Sequence, residues 1–500
     1  MHRLIVLIAG ICVSLASAAL VPPRDPSKWA DWQAQHAAEL NRHRMPAATT
    51  GAGTRTIIPR VLVIAVNFTD FNLISPIADI DSMFNGQHWT TGSSGSMRQY
   101  FYDQSMGQYN PQFDVVGPVT LSHNYAYYGA NTSVSHSSKA GYMVTEACAL
   151  VDDQVDFSQY DSNNDGYIDL VYVFYAGFGE NDYPEWMTPS QINNLLWPQY
   201  WTVENAGYGS NRRVFDGKTV SAMEYSNELN GFTSTQTEYK VSGIGVACHE
   251  FCHALGLPDL YTTNSATHKT LGMWDLMCYG LYNDDLSTPA GLSAYERFFL
   301  GWLTPTLITE PANLTLENLA TSNTAYLISE TDAHNLNGQN PNPASFYLLE
   351  NRQQTGWDKW LPASGMLLTH ITYNESKWRN NTVNNTESAQ GVDIIEADGL
   401  TPGDDTLEGY VGKEGDAFPH GASFYSGIPD HELTDITMTD GLISFAYRGG
   451  DTIPQDTDTI VTALPVEPVR LNSYRTMRDG QVLIHTPYGT YNLYGIKQEN

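Results

Sequence analysis

The chain has 500 residues, of which 41% are hydrophobic, 16% charged and 12% aromatic. This composition excludes a mostly disordered or fibrous protein, and the length predicts two or more folded parts. Lys and Arg number 25 against 55 Asp and Glu, which gives a formal net charge of -30. Nucleic acid is not an expected partner, because so acidic a surface repels phosphate groups. The oligomeric state stays unknown at this stage.

The first residues predict export from the cell. Arg3 precedes an apolar run at 4–15, and residues 16–18 (ASA) have the small-x-small form of a cleavage site. We therefore expect a signal peptide at 1–18 and a secreted protein, extracellular or at the cell surface. An integral membrane protein is not expected, because no later stretch approaches 18 apolar residues. Four cysteines follow the signal peptide, and the sequence leaves their pairing open: Cys148, Cys248, Cys252 and Cys278.

Residues 19–55 are predicted to be a propeptide or a linker. They start with a Pro-rich stretch and end with Thr, Gly and Ala, which is typical of a tether before a domain. A propeptide here would cover a cleft and make the protein a zymogen. The segment contains no cysteine, so a carboxylate such as Asp25, or steric blockage, would have to maintain latency.

Hydrophobic patterns predict a mixed domain at 56–305. Strands are expected at 60–68, 113–119 and 170–175, and helices at 96–102, 138–151 and 244–255. After Leu303, short strand-like runs alternate with Asn, Gly, Pro and Thr clusters, which favours a β-rich C-terminal region at 306–450. A tail at 451–500 completes the expected organisation. The predicted fold class is α+β.

Residues 161–169 (DSNNDGYID) have the spacing of a calcium-binding loop. The expected ligands are side-chain oxygens at loop positions one, three, five and nine and a backbone carbonyl at position seven: Asp161, Asn163, Asp165, Asp169 and Tyr167. Position twelve is Tyr172 instead of Glu, so the loop is not a full EF-hand. We predict a structural Ca²⁺ site, with an Asp/Asn turn that holds no ion as the alternative.

The segment HEFCH at 249–253 predicts a catalytic zinc site. On a helix, His249 and His253 lie on one face one turn apart, where two neutral imidazoles can bind one zinc ion. Glu250 is turned about 100° from His249, so it can act on a water molecule without ligating the metal. We predict that Glu250 is the general base and acid of the reaction.

The motif extends to HExxHxxGxxD. Gly256 permits a sharp turn after the helix, and this turn would bring Asp259 back to the metal as a third, oxygen ligand. A fourth position would stay open for water, as in catalytic zinc sites.

Residues 272–280 (GMWDLMCYG) have the form of a tight turn with a buried methionine. Together with the helix and its glycine turn, the sequence resembles the metzincin clan of zinc peptidases, and more narrowly the M6 family of the immune inhibitor A proteins. The likeness covers roughly residues 60–400. The stretches that carry it lie at 60–70, 96–119, 249–261, 273–280, 292–305 and 347–358.

This resemblance implies a metzincin-like zinc peptidase domain, with Met277 in a hydrophobic floor beneath the metal. Tyr279 matches the position of a tyrosine that can ligate the metal or stabilise the oxyanion, so it is a second candidate catalytic residue. Most metzincins have His where Asp259 stands, and that departure leaves His268 and Glu296 as alternative third ligands.

The predicted function is that of a secreted zinc endopeptidase that hydrolyses internal peptide bonds of protein or peptide substrates. One alternative is a secreted binding or adhesion protein on a degenerate peptidase scaffold. Another is a zinc amidase that acts on cell-wall or glycopeptide material. The cleavage specificity does not follow from the sequence.

Overall fold

The computed structural model describes residues 19–25, 57–86, 94–132, 136–264, 266, 268–399 and 412–450, together with four short strands between 474 and 498. The predicted signal peptide lies outside the described residues, as does the propeptide or linker beyond residue 25. The chain divides into two compact units, Met1–Asp451 and Thr452–Asn500.

A mixed sheet with six described strands forms the centre of the first unit. In chain order the strands are β1 (Ala19–Leu20), β2 (Arg60–Asn67), β3 (Gln112–Thr120), β4 (Val171–Phe178), β5 (Gln199–Thr202) and β6 (Ala222–Leu229). Their order across the sheet is β1-β5-β6-β4-β2-β3. β3, β2, β4 and β6 are parallel, whereas β5 runs antiparallel to β6 and β1 antiparallel to β5. β4 is buried along its whole length, as expected for a central strand covered on both faces.

Within the described residues, four helices of eight or more residues pack around this sheet: α1 (Ile77–Asn85), α2 (Met97–Gln104), α3 (Ala140–Val151) and α4 (Gly245–Ala254). Shorter α-helices are Tyr125–Gly129, Pro189–Ile192, Ala294–Phe299, Leu319–Ser322 and Glu375–Arg379. Turns of 3₁₀-helix are Phe157–Tyr160, Gly272–Trp274, Gly280–Leu286, Gly356–Trp360, Glu387–Ala389 and Glu414–Asp416. α2, α3 and α4 confirm the three predicted helices to within two residues at each end.

Further sheets follow the central one. A five-stranded sheet has the order Val392–Ile394, Gly365–Thr372, Ser345–Arg352, Tyr326–Ile328, Thr306–Leu307, and a three-stranded sheet has the order Ala312–Leu316, Leu442–Tyr447, Leu433–Thr439. A small hairpin joins Val214–Phe215 to Lys218–Thr219. One apolar cluster contains residues from both sides of position 305, such as Phe251 and Phe346. The predicted boundary at 305 therefore lies within a shared core.

The second unit contains an antiparallel sheet of the strands Tyr474–Arg478, Gln481–Thr486, Gly489–Asn492 and Lys497–Gln498. Within the described ranges, no helix combines the length and the apolar character needed to cross a bilayer.

A buried ion pair connects the five-stranded sheet to the turn at 272–280. The guanidinium of Arg352 binds Asp358 through two hydrogen bonds of 2.6 and 2.7 Å and also donates to the Trp274 carbonyl. Arg352→Met is expected to lower the free energy of unfolding by about 3–5 kcal/mol, because it leaves a buried carboxylate without its partner. Denaturant unfolding would measure this. Arg379→Met is the control, since Arg379 is 69% exposed beside Glu375 and should change stability by less than about 0.5 kcal/mol.

Candidate metal centre

The orientation of helix α4 is set by packing on its sheet-facing side. The ring of Phe251 lies 4.9 Å from that of Phe101 and 5.5 Å from that of Phe113. His249 and His253 therefore point away from this aromatic contact, toward the turns that follow the helix. Both imidazoles are buried.

Backbone carbonyls fix the tautomer of the two histidines. Nδ1 of His249 lies 2.9 Å from the Leu276 carbonyl, and Nδ1 of His253 lies 2.7 Å from the Leu257 carbonyl. Because a carbonyl can only accept, each Nδ1 carries the hydrogen and each Nε2 presents a lone pair. The two Nε2 atoms are 3.2 Å apart, so their lone pairs are held toward one common point.

Asp259 completes this arrangement. Gly256 has φ +98°, a conformation that glycine adopts without strain, and the chain turns back so that Asp259 Oδ1 lies 3.2 Å from both Nε2 atoms. Among the residues that the structure describes, this trio is the one group of three or more potential metal ligands found close together. Asp259 Oδ1 is buried and accepts no hydrogen bond.

The three atoms fit a zinc ion. A triangle with sides of 3.2 Å has its centre about 1.8 Å from each corner, slightly less than the zinc–ligand distances of about 2.0–2.2 Å. His249, His253 and Asp259 would thus hold a zinc ion at close to its usual ligand distances. Two imidazoles and one carboxylate are also a donor set that zinc accepts.

The charge states of these residues suit metal binding. Burial lowers the pKa of His249, which favours the neutral, ligating imidazole. Burial raises the pKa of Asp259, but the facing imidazoles of His253 and His249 outweigh it and bring that pKa below 3.8. The carboxyl group is therefore ionised, as a metal ligand must be.

The two alternative third ligands lie elsewhere. Nε2 of His268 is 2.7 Å from the Asn384 carbonyl. Glu296 accepts hydrogen bonds from Ser293 in a capping box at the start of the helix Ala294–Phe299. Neither residue joins the group formed by His249, His253 and Asp259. The geometry thus favours Asp259.

Glu250 lies beside this group, fully buried between helix α4 and strand β5. Its Oε2 accepts a 2.6 Å hydrogen bond from the Tyr200 N–H, and the Val21 backbone lies close enough to lower the pKa of this carboxyl group. Burial raises the pKa of Glu250 well above 4.5 and the nearby charge of Glu224 adds to the rise. A carboxyl group in this environment binds a proton readily, as a general base requires.

The turn at 272–280 supports the histidine-bearing helix. Met277 is fully buried, and its carbonyl accepts a 2.8 Å hydrogen bond from the Leu260 N–H, in the loop that follows Asp259. Tyr279 is 3% exposed, and its N–H donates to the Gly272 carbonyl. The catalytic role predicted for Tyr279 stays a prediction.

Two residues that sequence reasoning missed orient Asp259. Asn381 donates from Nδ2 to Asp259 Oδ2 at 2.5 Å and accepts from the Asp259 N–H at 2.7 Å. Tyr261 hydrogen-bonds to the same carboxylate, and its ring stacks on that of His249. Tyr261 could have been found from its place two residues after Asp259, but nothing local in the sequence marks Asn381.

Asn381→Gly is expected to weaken zinc binding about 10–100-fold, the usual effect of removing a residue that orients a metal ligand. Glycine tolerates the φ of +53° at this position, so the backbone is not strained. Competition with a chelating dye would measure the affinity. Asn380→Ala is the matched control, because Asn380 bonds to Ser376 instead; equal zinc affinity in both variants would refute the orienting role.

The N-terminal segment 19–25 lies in the cleft beside Glu250. β1 extends the central sheet at strand β5, with Ala19 opposite Tyr200. The Val21 carbonyl accepts a 3.2 Å hydrogen bond from the Trp197 indole, and the Pro22 carbonyl accepts one from the Tyr282 hydroxyl. Val21, Pro22 and Pro23 are buried.

The loop at 161–169 is held by hydrogen bonds within the protein. Asp161 accepts from the N–H groups of Asp165 and Gly166 at 3.0 Å, and Lys218 Nζ lies 2.6 Å from its Oδ2. Asp169 accepts from the Ser162 N–H at 3.1 Å. A lysine cation thus neutralises the first of the predicted calcium ligands.

The four cysteines that follow the predicted signal peptide are all present as buried free thiols. The cysteines of α4 are therefore neither disulfide-bonded nor part of the metal group.

Comparisons with known proteins agree with this geometry. Residues 79–302 match the model of the family "Immune inhibitor A peptidase M6, catalytic domain". Immune inhibitor A of Bacillus thuringiensis subsp. alesti is 27% identical over 278 residues, which cover 48% of this chain and 39% of that protein. The pre-pro-metalloprotease PrtV of Vibrio cholerae serotype O1 (strain M66-2) is 25% identical over 244 residues, which cover 44% of this chain and 25% of that protein.

The alignments thus span less than half the length of either relative. The matched region contains helix α4, the turn at 272–280 and the residues that converge on the metal position. Residues 79–302 are therefore similar to the catalytic domain of the immune inhibitor A peptidase M6 family, and this similarity supports a metalloendopeptidase.

Proposed function

We propose that the protein is a zinc-dependent endopeptidase that hydrolyses internal peptide bonds, with His249, His253 and Asp259 as zinc ligands. The observation that carries this proposal is the triangle of bare ligand atoms, 3.2 Å on each side, next to the buried carboxylate of Glu250. Two aligned imidazole lone pairs and an ionised carboxylate would repel one another or lack partners unless a cation bound them.

Zinc, when bound at this position, supplies a Lewis acid that polarises the scissile carbonyl and lowers the pKa of a water molecule. Glu250 takes the proton of the attacking water on its carboxylate and passes it to the leaving amine. The Tyr200 N–H holds one oxygen of this carboxylate and so fixes its orientation. Tyr279 is the proposed stabiliser of the oxyanion.

Strand β5, which is the edge of the central sheet when β1 is not paired to it, supports peptides as the substrate class. Its pairing with β1 shows that an extended chain can add to the sheet at this place, antiparallel to β5 and next to Glu250. Main-chain hydrogen bonds of this kind recognise a peptide of any sequence in extended form. A cell-wall or glycopeptide amide would not need such an edge, so the endopeptidase is favoured over the amidase.

Segment 19–25 supports the further proposal that the protein is a secreted zymogen. Val21, Pro22 and Pro23 fill the part of the cleft that a substrate would need. Asp25 does not join the group of metal-ligating residues, which favours steric blockage over ligation of the metal as the cause of latency.

Metal removal tests the proposed function. The purified full chain is expected to contain one zinc ion per molecule and, once activated, to lose its cleavage of casein on chelation and to regain it with stoichiometric zinc. Elemental analysis and a casein assay measure both properties. Casein cleavage that persists in metal-free protein would refute the proposal, whereas bound zinc with no hydrolysis of any peptide would favour the binding or adhesion protein.

The Ca²⁺ site at 161–169 stays a prediction. Lys218 occupies one side of Asp161, so calcium would have to displace it. Calorimetric titration of the chelator-treated chain with Ca²⁺ would test the prediction, and the absence of a binding heat would favour the ion-free turn.

A further inference from the structure

The side chain of Arg24 lies in an acidic pocket at the far end of the N-terminal segment. Its guanidinium is 3.3 Å from Oδ1 of Asp182 and 3.3 Å from Oδ1 of Asn230. It also forms an ion pair with Asp285 and lies over the ring of Phe232, 4.2 Å from the centroid. Two carboxylates, one amide oxygen and one aromatic face therefore surround this single cation.

Contacts among the residues that form this pocket hold them in place without Arg24. Asp182 Oδ2 accepts a 3.0 Å hydrogen bond from the Gly231 N–H, and Asn230 Nδ2 donates to the Asp285 carbonyl at 3.0 Å. A Cβ at Gly231 would lie 2.1 Å from the Asp182 carbonyl oxygen, so the two loops touch at this point. None of these contacts involves Arg24, and the pocket should keep its shape when the segment leaves.

The pocket requires a cation. Asp182 is 3% exposed; burial raises the pKa of its carboxyl group and Arg24 is the leading influence that lowers it. Removal of segment 19–25 would leave this buried acid and Asp285 without their positive partner, in a chain whose net charge is already -30. A basic side chain from another peptide is the natural replacement.

The position of Val21 sets the register of the pocket relative to the reacting bond. Tyr200, which lies opposite Ala19, donates its N–H to Glu250, and the Val21 backbone lies close enough to lower the pKa of Glu250. Glu250 is the group that gives a proton to the leaving amine in the proposed reaction. The Leu20–Val21 bond thus lies where a substrate bond would be cut, and β1 runs along β5 as an added strand. Arg24 is then the fourth residue after that bond.

We propose that the pocket formed by Asp182, Asn230, Phe232 and Asp285 is a substrate subsite that selects Arg or Lys at the fourth residue after the scissile bond. This inference rests on the proposed peptidase function. Arg24 occupies the subsite in the latent protein, and a basic substrate residue takes its place in the active one. The same carboxylates thus bind Arg24 of the N-terminal segment and recognise the basic residue of the substrate.

A pair of synthetic quenched-fluorescence peptides tests the subsite. They share one sequence with a Leu-Val bond and differ only in Arg or norleucine at the fourth residue after it. The protein is the full chain with a cleavage site for an unrelated, specific protease inserted within residues 26–56, used after that cut has released the N-terminal segment and left the pocket free. The Arg peptide is expected to have a kcat/KM at least about tenfold higher, because a site built for a cation rejects an analogue without one. Mass spectrometry should place the cut at Leu-Val.

Pocket variants separate the subsite from a general charge effect. Adding Asp182→Asn should bring the ratio of the two kcat/KM values toward one, and Asp285→Asn, at a side chain that is 54% exposed, repeats the test with little risk to folding. Glu185→Gln removes one exposed negative charge from the same loop and should keep the ratio of the unaltered pocket.

Two outcomes would overturn the subsite, and they are distinguishable. The subsite would be refuted by equal kcat/KM for both peptides, or by a ratio that Asp182→Asn and Asp285→Asn leave unchanged. Neither result would contradict the proposed peptidase function. If a zinc-loaded, folded chain cleaves neither peptide after release of its N-terminal segment, both the peptidase function and the subsite are refuted.

Discussion

Glu250→Gln is expected to lower kcat/KM for peptide hydrolysis about 10²–10⁴-fold, the usual contribution of a general acid–base group. The amide has nearly the shape of the carboxylate, but it cannot take a proton from water and return it to the leaving amine. The triangle of His249, His253 and Asp259 does not include Glu250, so zinc content should stay at one ion per molecule. A fluorogenic peptide assay and elemental analysis measure the two properties together.

Glu224→Gln is the matched control for this variant. Glu224 is also fully buried, and neither of its carboxylate oxygens has a hydrogen-bond partner among the described residues. Burial raises the pKa of Glu224 well above 4.5, and the amide keeps nearly the shape of this carboxyl group, so activity should change little. If Glu250→Gln, loaded with zinc, cleaved peptides as fast as the unaltered chain, Glu250 could not be the general base.

The sequence predicted those parts of the site that local spacing determines. Helical periodicity places His249 and His253 on one face, and a glycine at 256 predicts the turn that carries Asp259 back to them. The central strands were equally visible, because buried parallel strands read as continuous runs of aliphatic residues. In each case the deciding information lies within about a dozen consecutive residues.

Long-range partners could not be predicted in this way. Asn381 reaches Asp259 across 122 positions of sequence, and Lys218 reaches Asp161 across 57. Nothing in the composition around Asn381 or Lys218 distinguishes them from other Asn and Lys residues, since their role depends on how the chain folds back. The pocket around Arg24 likewise combines three separate stretches, so only the folded chain reveals it.

Removal of the N-terminal segment is expected to raise peptidase activity at least about tenfold. A segment tethered to the cleft acts at an effective concentration in the millimolar range, which excludes substrates that bind with ordinary affinity. A cleavage site for an unrelated, specific protease, inserted within residues 26–56 of the full chain, allows release of the segment on demand. Activity on a fluorogenic peptide is measured before and after the cut.

Zinc content separates this mechanism from latency by a metal ligand. If Val21, Pro22 and Pro23, which are buried, block the cleft as proposed, the uncut chain should already bind one zinc ion, because Asp25 lies outside the metal group. Insertion of the same site with its recognition sequence scrambled is the control and should leave activity low after protease treatment. Equal activity before and after a complete cut would mean that segment 19–25 is a linker and that the cleft is open to substrate while β1 is in place.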